Sequence, residues 1–471
     1  MNAQKASRRD FLKAAAGGTA AGVVAATGLE AGVKTAAAAA PAVRAAAIEP
    51  TGVLWGLNYG PHILLANNMI KLFKQKTGAT VTLQPQANPG GSTLIAAIAA
   101  GTQPDVVIAN ASGLVGLVLQ GALTTLNESV YAYNHIDVAR DFVGDAVQAF
   151  SFGTKIWGVP CETDGGIAGN INVPVDAVKK AGLEKMYPPT SGQTYFESYD
   201  QLYALAKALQ TTANGKVKRW GLCGEGWDLA TMAGQMLTMG MPIFDAQHER
   251  FNFNTPVGIR AMQLHVEKPV KMGIEREWNN QSAVIDEALN GNAAVTMGNA
   301  VPVFYGHKYG YDYRGAGYPK IDGKIPKNAG AAAGWGVVGP IKPRHPNLQI
   351  AFLRMMGTEE GQYAYDVAAG NPVPAWKNLL LHPRRGQYQY LDANGLTFLK
   401  NVAESSWWQN GLLNCVFIGP VGYSNRVETA LDVACQAVRA GKMGSAQAMA
   451  QLQKQAEAQY KQYKIDLTNL Q

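Results

Sequence analysis

Glu162 and Asp164 stand two residues apart in the run Glu162-Thr163-Asp164-Gly165-Gly166. Paired carboxylates can act as general acid and base on a glycosidic bond, but they must then flank that bond from opposite sides. Two positions on one short segment do not meet that demand. A carboxylate here is better suited to accept hydrogen bonds from a bound molecule's hydroxyls. The rival for both residues is a plain solvated carboxylate. Gly334-x-Gly336-x-x-Gly339 has the spacing of a dinucleotide fingerprint. Pro340 follows at once, so no helix opens to present amides to a pyrophosphate. These glycines read as a tight strand and turn. The chain has no GxxxxGK[ST], HExxH or GxSxG, and none of its seven histidines is spaced as a metal pair. The four cysteines (Cys161, Cys223, Cys415 and Cys435) include no CxxC pair, which argues against a thiolate zinc site. No cofactor and no metal are expected.

The elements that must carry these residues come next. Residues 53–57 read as a strand, followed by the loop Asn58-Tyr59-Gly60-Pro61-His62 and a helix to Thr77. Ala79–Leu83 is a second strand, with the loop 86–91 after it and a helix that Ser92 is expected to cap. Val106–Ala109 is a third strand, followed by Asn110-Ala111-Ser112. Alternating strand and helix predicts a parallel sheet with helices on both faces. Ligands of such sheets sit beyond the carboxyl ends of the strands. That rule selects Asn58, Tyr59, Asn88, Gly90, Asn110 and Ser112. An aromatic plane can cover the apolar face of a sugar ring while Asn, Asp, Glu and Gln read its polar rim. Trp278 and Trp335 are candidates for that face, with core packing as the rival. Further on, the Tyr- and Gly-rich stretch 305–318 reads as an irregular loop.

At the centre of the chain, Ile156–Val159 reads as a short strand broken at Pro160. A polar, Gly-rich break follows, then a second strand to Val173 and a helix ending near Gly182. Such a break suits a hinge crossing between two lobes. This stretch resembles the extracellular solute-binding proteins of ATP-driven importers, in the branch that includes maltose-binding protein. In that family a strand ending Gly-x-Pro, here Gly158-x-Pro160, leads from one lobe to the other. The blocks Gly101-x-x-Pro104-Asp105-Val106, Gly121-x-Leu123-x-x-Leu126 and Phe253-Asn254-Thr255-Pro256-x-Gly258 carry the same resemblance.

The resemblance implies an α/β, periplasmic-binding-protein-like fold, with two α/β lobes joined by multiple hinge crossings (type II). It places Trp227 on a strand-end loop as a stacking aromatic, Tyr423 at the cleft edge, and Asn299 after a strand that reaches the cleft. It also implies a small-molecule solute and the permease subunits of an importer as partners, with no enzymatic chemistry. The loops after the first and third strands lack the family's charged residues. The cleft therefore reads as neutral, suited to a small sugar, polyol or derivative. An exported enzyme and a binding subunit of a sensor are the alternatives.

Ser7-Arg8-Arg9-Asp10-Phe11-Leu12-Lys13 matches the twin-arginine export pattern, and an apolar, Ala-rich stretch follows. Residues 1–47 are therefore set aside as signal and linker. A soluble, monomeric periplasmic protein that has passed the twin-arginine export machinery is expected. The chain carries a formal +7; residues 1–47 hold six Lys or Arg and two Asp or Glu, so the rest carries +3. That balance, with no Lys/Arg run, gives no support to nucleic-acid binding. Roughly 420 remaining residues exceed one ordinary core. The expected division is 48–162 plus 336–395 for lobe 1 and 163–335 plus 396–471 for lobe 2.

Overall fold

The computed structural model describes residues 47–58, 60–152, 154–163, 170–224, 228–278, 283–298, 302–303, 310–327, 329–330, 334–366, 374–382, 384, 416–417, 419 and 425–469. The twin-arginine stretch lies outside the described residues.

The chain begins as alternating strand and helix: β1 (Thr51–Leu57), α1 (Gly60–Thr77), β2 (Thr80–Gln86), α2 (Ser92–Ala99), β3 (Val106–Asn110) and α3 (Ala111–Leu119). β3 is buried from Val106 through Ala109, as expected of an apolar strand covered on both faces. β1 pairs in parallel with β2 and β3, with Leu54 opposite Leu83 and Val106. α1 ends where the Thr77 hydroxyl donates to the Phe73 carbonyl at 2.7 Å and Gly78 takes φ +77°, the left-handed exit that glycine accepts without strain. Ser92 does not cap α2 as expected. Gly91 holds the cap position, with no side-chain cap bond. A Cβ at Gly91 would lie 2.5 Å from Asn88 Nδ2, so close approach of the Asn88 side chain selects glycine there.

β4 (Gly158–Pro160) closes the first sheet. The chain then passes to β5 (Asn170–Pro174), α4 (Val175–Lys180), α5 (Tyr199–Leu209), β6 (Thr211–Ala213), β7 (Lys216–Cys223), α6 (Asp228–Thr238), β8 (Ala293–Met297) and β9 (Tyr313–Gly317). β10 (Trp335–Val338) returns to the first sheet, followed by α7 (Pro346–Met356) and α8 (Glu359–Asp366). The last described helices are α9 (Asn425–Arg439) and α10 (Ser445–Asn469). The strand orders are β2-β1-β3-β10-β4 and β9-β5-β8-β7-β6.

The first three strands are parallel, as their alternation with helices predicts, and both sheets become mixed through strands that arrive from elsewhere in the chain. β10 runs antiparallel to β3 and β4, and β5 runs antiparallel to β8 and β9. Parallel order holds where a covering helix links consecutive strands. Strands that arrive from the other sheet are free of that constraint. Residues 313–317 of the expected loop form β9, paired along its length with β5. Gly317 misled the composition reading, because it serves packing: a Cβ there would lie 2.4 Å from the Tyr195 ring.

Each sheet has its own apolar core. A third cluster lies among α6, α9 and α10. On α9 the residues Val427, Ala430, Leu431, Ala434 and Val438 are all buried, at the three- and four-residue spacing of one helical face. Val115 of α3 is buried in this same cluster, so the first sheet's helical layer meets that of the second. No helix among the described residues is long and apolar enough to cross a membrane.

Candidate functional site

The register brings several candidate residues to one edge. β1 and β3 are parallel, so Asn58 and Asn110 end at the same side. β10 runs the opposite way and starts there, with Trp335 opposite Asn110 and Gly336 opposite Pro160. β4 therefore also ends at this edge, and Cys161 N–H donates to the Trp335 carbonyl at 2.9 Å. Asn58, the Asn88–Gly91 loop, Asn110, Ser112, Glu162 and Trp335 thus form one line along the carboxyl edge of the first sheet. Of the dinucleotide-like glycines only Gly336 lies within β10, between Gly334 before the strand and Gly339 after it, and the next helix begins only at Pro346. A Cβ at Gly336 would lie 2.6 Å from both the Phe150 ring and the Val159 carbonyl. Gly336 therefore serves close strand packing.

The local chemistry holds each residue in place. Asn110 is the N-cap of α3: its Oδ1 accepts the Ser112 N–H at 2.9 Å, satisfying an amide the helix leaves free. Asn58 N–H donates to the Gln86 carbonyl at 2.7 Å, leaving its side chain exposed. Asn88 is exposed as well. The loop beside it rests on β3, since a Cβ at Gly90 would lie 3.0 Å from the Ala109 Cβ. Trp335 is half-buried, and His62 meets it edge-on with ring centroids 4.9 Å apart. Burial pushes the His62 pKa down to about 4, so this ring is neutral at pH 7.

Glu162 is buried where the chain leaves the first sheet. Its main chain bridges Pro374 and bonds to residues 334 and 335. The Tyr365 hydroxyl donates to Glu162 Oε2 at 3.2 Å. Asp366 follows on the same helix, fully buried, and neither of its carboxylate oxygens has a hydrogen-bond partner among the described residues. Burial, with the Glu162 charge adding to it, pushes the Asp366 carboxyl well above its ordinary range. Burial and the same two carboxylates push the Cys161 thiol up. This acceptor-rich cluster was missed by sequence reading. Asp366 lies more than 200 positions from Glu162, on a helix whose local pattern is unremarkable.

The remaining candidates separate. Trp278 lies apart from the first-sheet line. It is buried against Cys223 and Ala293, with the Arg276 guanidinium 4.3 Å over its ring. Tyr59, Asp164, Trp227, Asn299 and Tyr423 lie outside the described residues. Gly224 and Asp228, which flank residues 225–227, and Gly298, before Asn299, lie at the carboxyl ends of the parallel pair β7 and β8. Cys161, Cys223 and Cys435 are buried, and Cys415 lies outside the described residues. Among the described residues no group of three or more His, Cys, Asp or Glu could hold a metal ion.

Two mixed α/β sheets linked by strand crossings carry a line of polar and aromatic residues at the crossing edge. The chain belongs to the bacterial extracellular solute-binding protein family, whose model matches residues 64–363. The fold agrees with solved structures. UgpB from Mycobacterium tuberculosis, in complex with glycerophosphocholine, superposes with TM-score 0.67 at 16% identity, covering 88% of this chain and 100% of that one. A solute-binding protein from Thermotoga lettingae bound with α-D-tagatose gives 0.66 at 16% identity, over 88% and 100% of the two chains. The maltodextrin-binding domain MalE from Bdellovibrio bacteriovorus, bound to maltotriose, gives 0.64 at 15% identity, over 87% and 100%. At these identities the likeness establishes the fold. No match was found among curated proteins.

Proposed function

We propose that the protein is the periplasmic substrate-binding protein of an ATP-driven importer. It closes two lobes over one small solute and docks, as a monomer, on the permease subunits. The solute is a sugar, polyol or derivative. The lobes divide at the crossings, with 48–162 plus 336–395 in one and 163–335 plus 396–471 in the other. Asn58, Tyr59, Asn88, Asn110, Ser112, Glu162 and Trp335 read it from the first lobe and the crossing. Asp164, Trp227, Trp278, Asn299 and Tyr423 complete the set. The twin-arginine run at residues 7–13 directs export.

The observation that carries this reading is the convergence at the carboxyl edge of the first sheet. Asn110, Trp335 and Glu162 come from separated parts of the chain, and β-register and main-chain bonds bring them side by side. Bound solutes in the neighbouring structures, α-D-tagatose, maltotriose and glycerophosphocholine among them, support a polyhydroxylated ligand. Binding shifts the open and closed populations by the solute's differential affinity for them.

A thermal-shift screen of the mature protein against sugars, polyols, glycerophosphodiesters, amino acids and polyamines tests the proposal. A solute at about 100 times its dissociation constant stabilises the native state by ~2.7 kcal/mol. Hits within one polyhydroxylated class, abolished in Trp335→Ala or Glu162→Gln, are the expected result. Hits confined to amino acids or polyamines would overturn the solute class. No hit at all, with turnover of a tested compound, would overturn the binding role.

A further inference from the structure

The carboxylate cluster of the first sheet sits where three separated segments of the chain meet. Residues 160–163 leave β4, residues 334–335 enter β10, and residues 374–375 follow α8. Cys161 and Glu162 N–H groups donate to the Trp335 carbonyl at 2.9 and 3.3 Å. Gly334 N–H donates to the Glu162 carbonyl and Ala375 N–H to the Cys161 carbonyl, both at 3.3 Å. Three of these four bonds exceed the usual limit of about 3.2 Å. The junction is weakly laddered, so the side chains packed on it matter more.

α8 supplies those side chains. The Tyr365 hydroxyl donates to Glu162 Oε2 at 3.2 Å. Asp366 is fully buried, with neither oxygen hydrogen-bonded among the described residues. Gln362, four positions back on the same helical face, also buries its Oε1 without a partner there, while its Nε2 donates to the Met356 carbonyl at 2.8 Å. The charges of Asp366 and Glu162 both bear on the Cys161 thiol, which gathers the two carboxyls around one group.

Among the described residues no cation faces Asp366. Burial pushes the ionisation of Cys161, Tyr131 and Tyr365 above the ordinary range, and His62 is neutral at pH 7. Around α8, Lys76 pairs with Glu360 and Arg384 with Glu359. Arg354 donates to the Ser129 carbonyl, Lys377 to the Ala139 carbonyl, and Lys71 and Lys74 are exposed. The second sheet meets the same problem with a cation: Arg439 grips Asp228 at 2.8 and 2.9 Å and reaches Glu275 at 3.4 Å. Without one, burial and a like charge both oppose ionisation of Asp366.

We propose that Asp366 is a positioning residue for Glu162 and the latch of this junction: it holds a proton while residues 160–163, 334–335 and 374–375 stay paired, and releases it to solvent when they part. Its purpose rests on the solute-binding reading, in which Glu162 is a solute acceptor and the lobes turn about these crossings. Raising the pH favours the parted form, and a solute that needs the paired form binds more weakly.

Hydrogen exchange of the mature protein at pH 5, 6 and 7, read by mass spectrometry and corrected for the intrinsic effect of pH, tests it. An opening that releases one proton is favoured about tenfold per pH unit. Wild-type peptides covering 158–163, 334–338 and 374–380 are expected to speed by that factor per unit. They are also expected to exchange about tenfold or more faster than β1 and β3 at each pH. Asp366→Asn cannot ionise and is expected to flatten the dependence. Glu162→Gln keeps Asp366 buried and is expected to retain it. Val107→Ala, at the buried centre of β3, weakens the sheet and is expected to retain it as well. Junction exchange no faster than that of β1 and β3 would mean that only global unfolding releases the proton, and would overturn the latch. A dependence that survives in Asp366→Asn, or that Glu162→Gln abolishes, would overturn it too. A flat wild-type junction in a protein that binds a solute would overturn the latch alone. A pH-dependent junction in a protein that answers no solute in the thermal screen would leave the latch standing and remove the solute-binding reading.

Discussion

Two buried carboxylate clusters serve the two sheets, and they are built on opposite principles. In the second sheet Asp228 meets Arg439 twice and His265 once, so both of its oxygens are satisfied. In the first sheet Asp366 is equally buried, yet its oxygens have no hydrogen-bond partner among the described residues and the charge that bears on it is that of Glu162. The consequences for ionisation diverge. Burial pushes Asp228 up, but the Arg439 charge and hydrogen bonds, helped by His265, outweigh it and hold the carboxyl well below its usual range. Burial drives Asp366 the other way, and Glu162 adds to the push. The Asp228 cluster holds a fixed negative charge against a fixed positive one. The Asp366 cluster has no such cation, and burial with the Glu162 charge favours the protonated form of Asp366. Burial alone therefore says little about a carboxylate's role; the partners decide it.

The largest way to break this contrast is to remove one partner of the satisfied pair. Arg439→Met leaves Asp228 and Glu275 buried without their cation, and stranding a buried charge costs about 3–5 kcal/mol. Urea unfolding of the variant is expected to show that loss. Combining Arg439→Met with Asp228→Asn removes most of the stranded charge and is expected to recover more than half of it. If the double variant is as unstable as the single one, the cost lies in lost packing rather than in unpaired charge.

The second test sets the two carboxylates against each other by pH. Asp228 has a depressed native pKa, so its contribution is present above the unfolded value of 3.8 and is lost as pH falls below it. Asp366 has a raised native pKa relative to 3.8. Native protein then keeps a proton that the unfolded chain releases, so stability falls as pH rises from about 4 up to the native pKa. The slope of that fall is about 1.4 kcal/mol per pH unit for one proton. Asp366→Asn cannot ionise and is expected to abolish this slope while leaving the acid-side loss due to Asp228 intact. Unfolding free energies measured between pH 2 and 8 check it. A wild-type slope that survives in Asp366→Asn would assign the proton to another group.

Much of the first sheet was legible in the sequence because its signals are local. Strand, polar loop and helix recur within about thirty residues, and the strand-end rule selects Asn58, Asn88, Asn110 and Ser112 without knowledge of the far chain. The run at 156–174 announced its crossing through Pro160 and the Gly-rich break. What local pattern could not show was anything settled by a distant partner. Antiparallel β10 looked like any apolar strand, and β9 was hidden because Gly315 and Gly317 read as loop residues, although both pair with β5 and Gly317 admits the Tyr195 ring. Both carboxylate clusters fall in this class. Arg439 stands 211 positions from Asp228, on a helix whose visible signature is its apolar stripe, and a single Arg at a helix end ordinarily reads as a surface cation near the helix dipole.

The smallest expected effect sharpens the comparison at Tyr365. Its hydroxyl is buried and donates to Glu162 Oε2 at 3.2 Å, a donor in a place crowded with acceptors. Tyr365→Phe keeps the ring in the first core and removes only that bond. Loss of one hydrogen bond to a charged group costs about 1.5–3 kcal/mol when the acceptor stays buried. The variant is therefore expected to lose about 1.5–3 kcal/mol at pH 7, measured by urea unfolding. A loss below about 0.5 kcal/mol would mean that the Tyr365 hydroxyl contributes little beyond the packing of its ring.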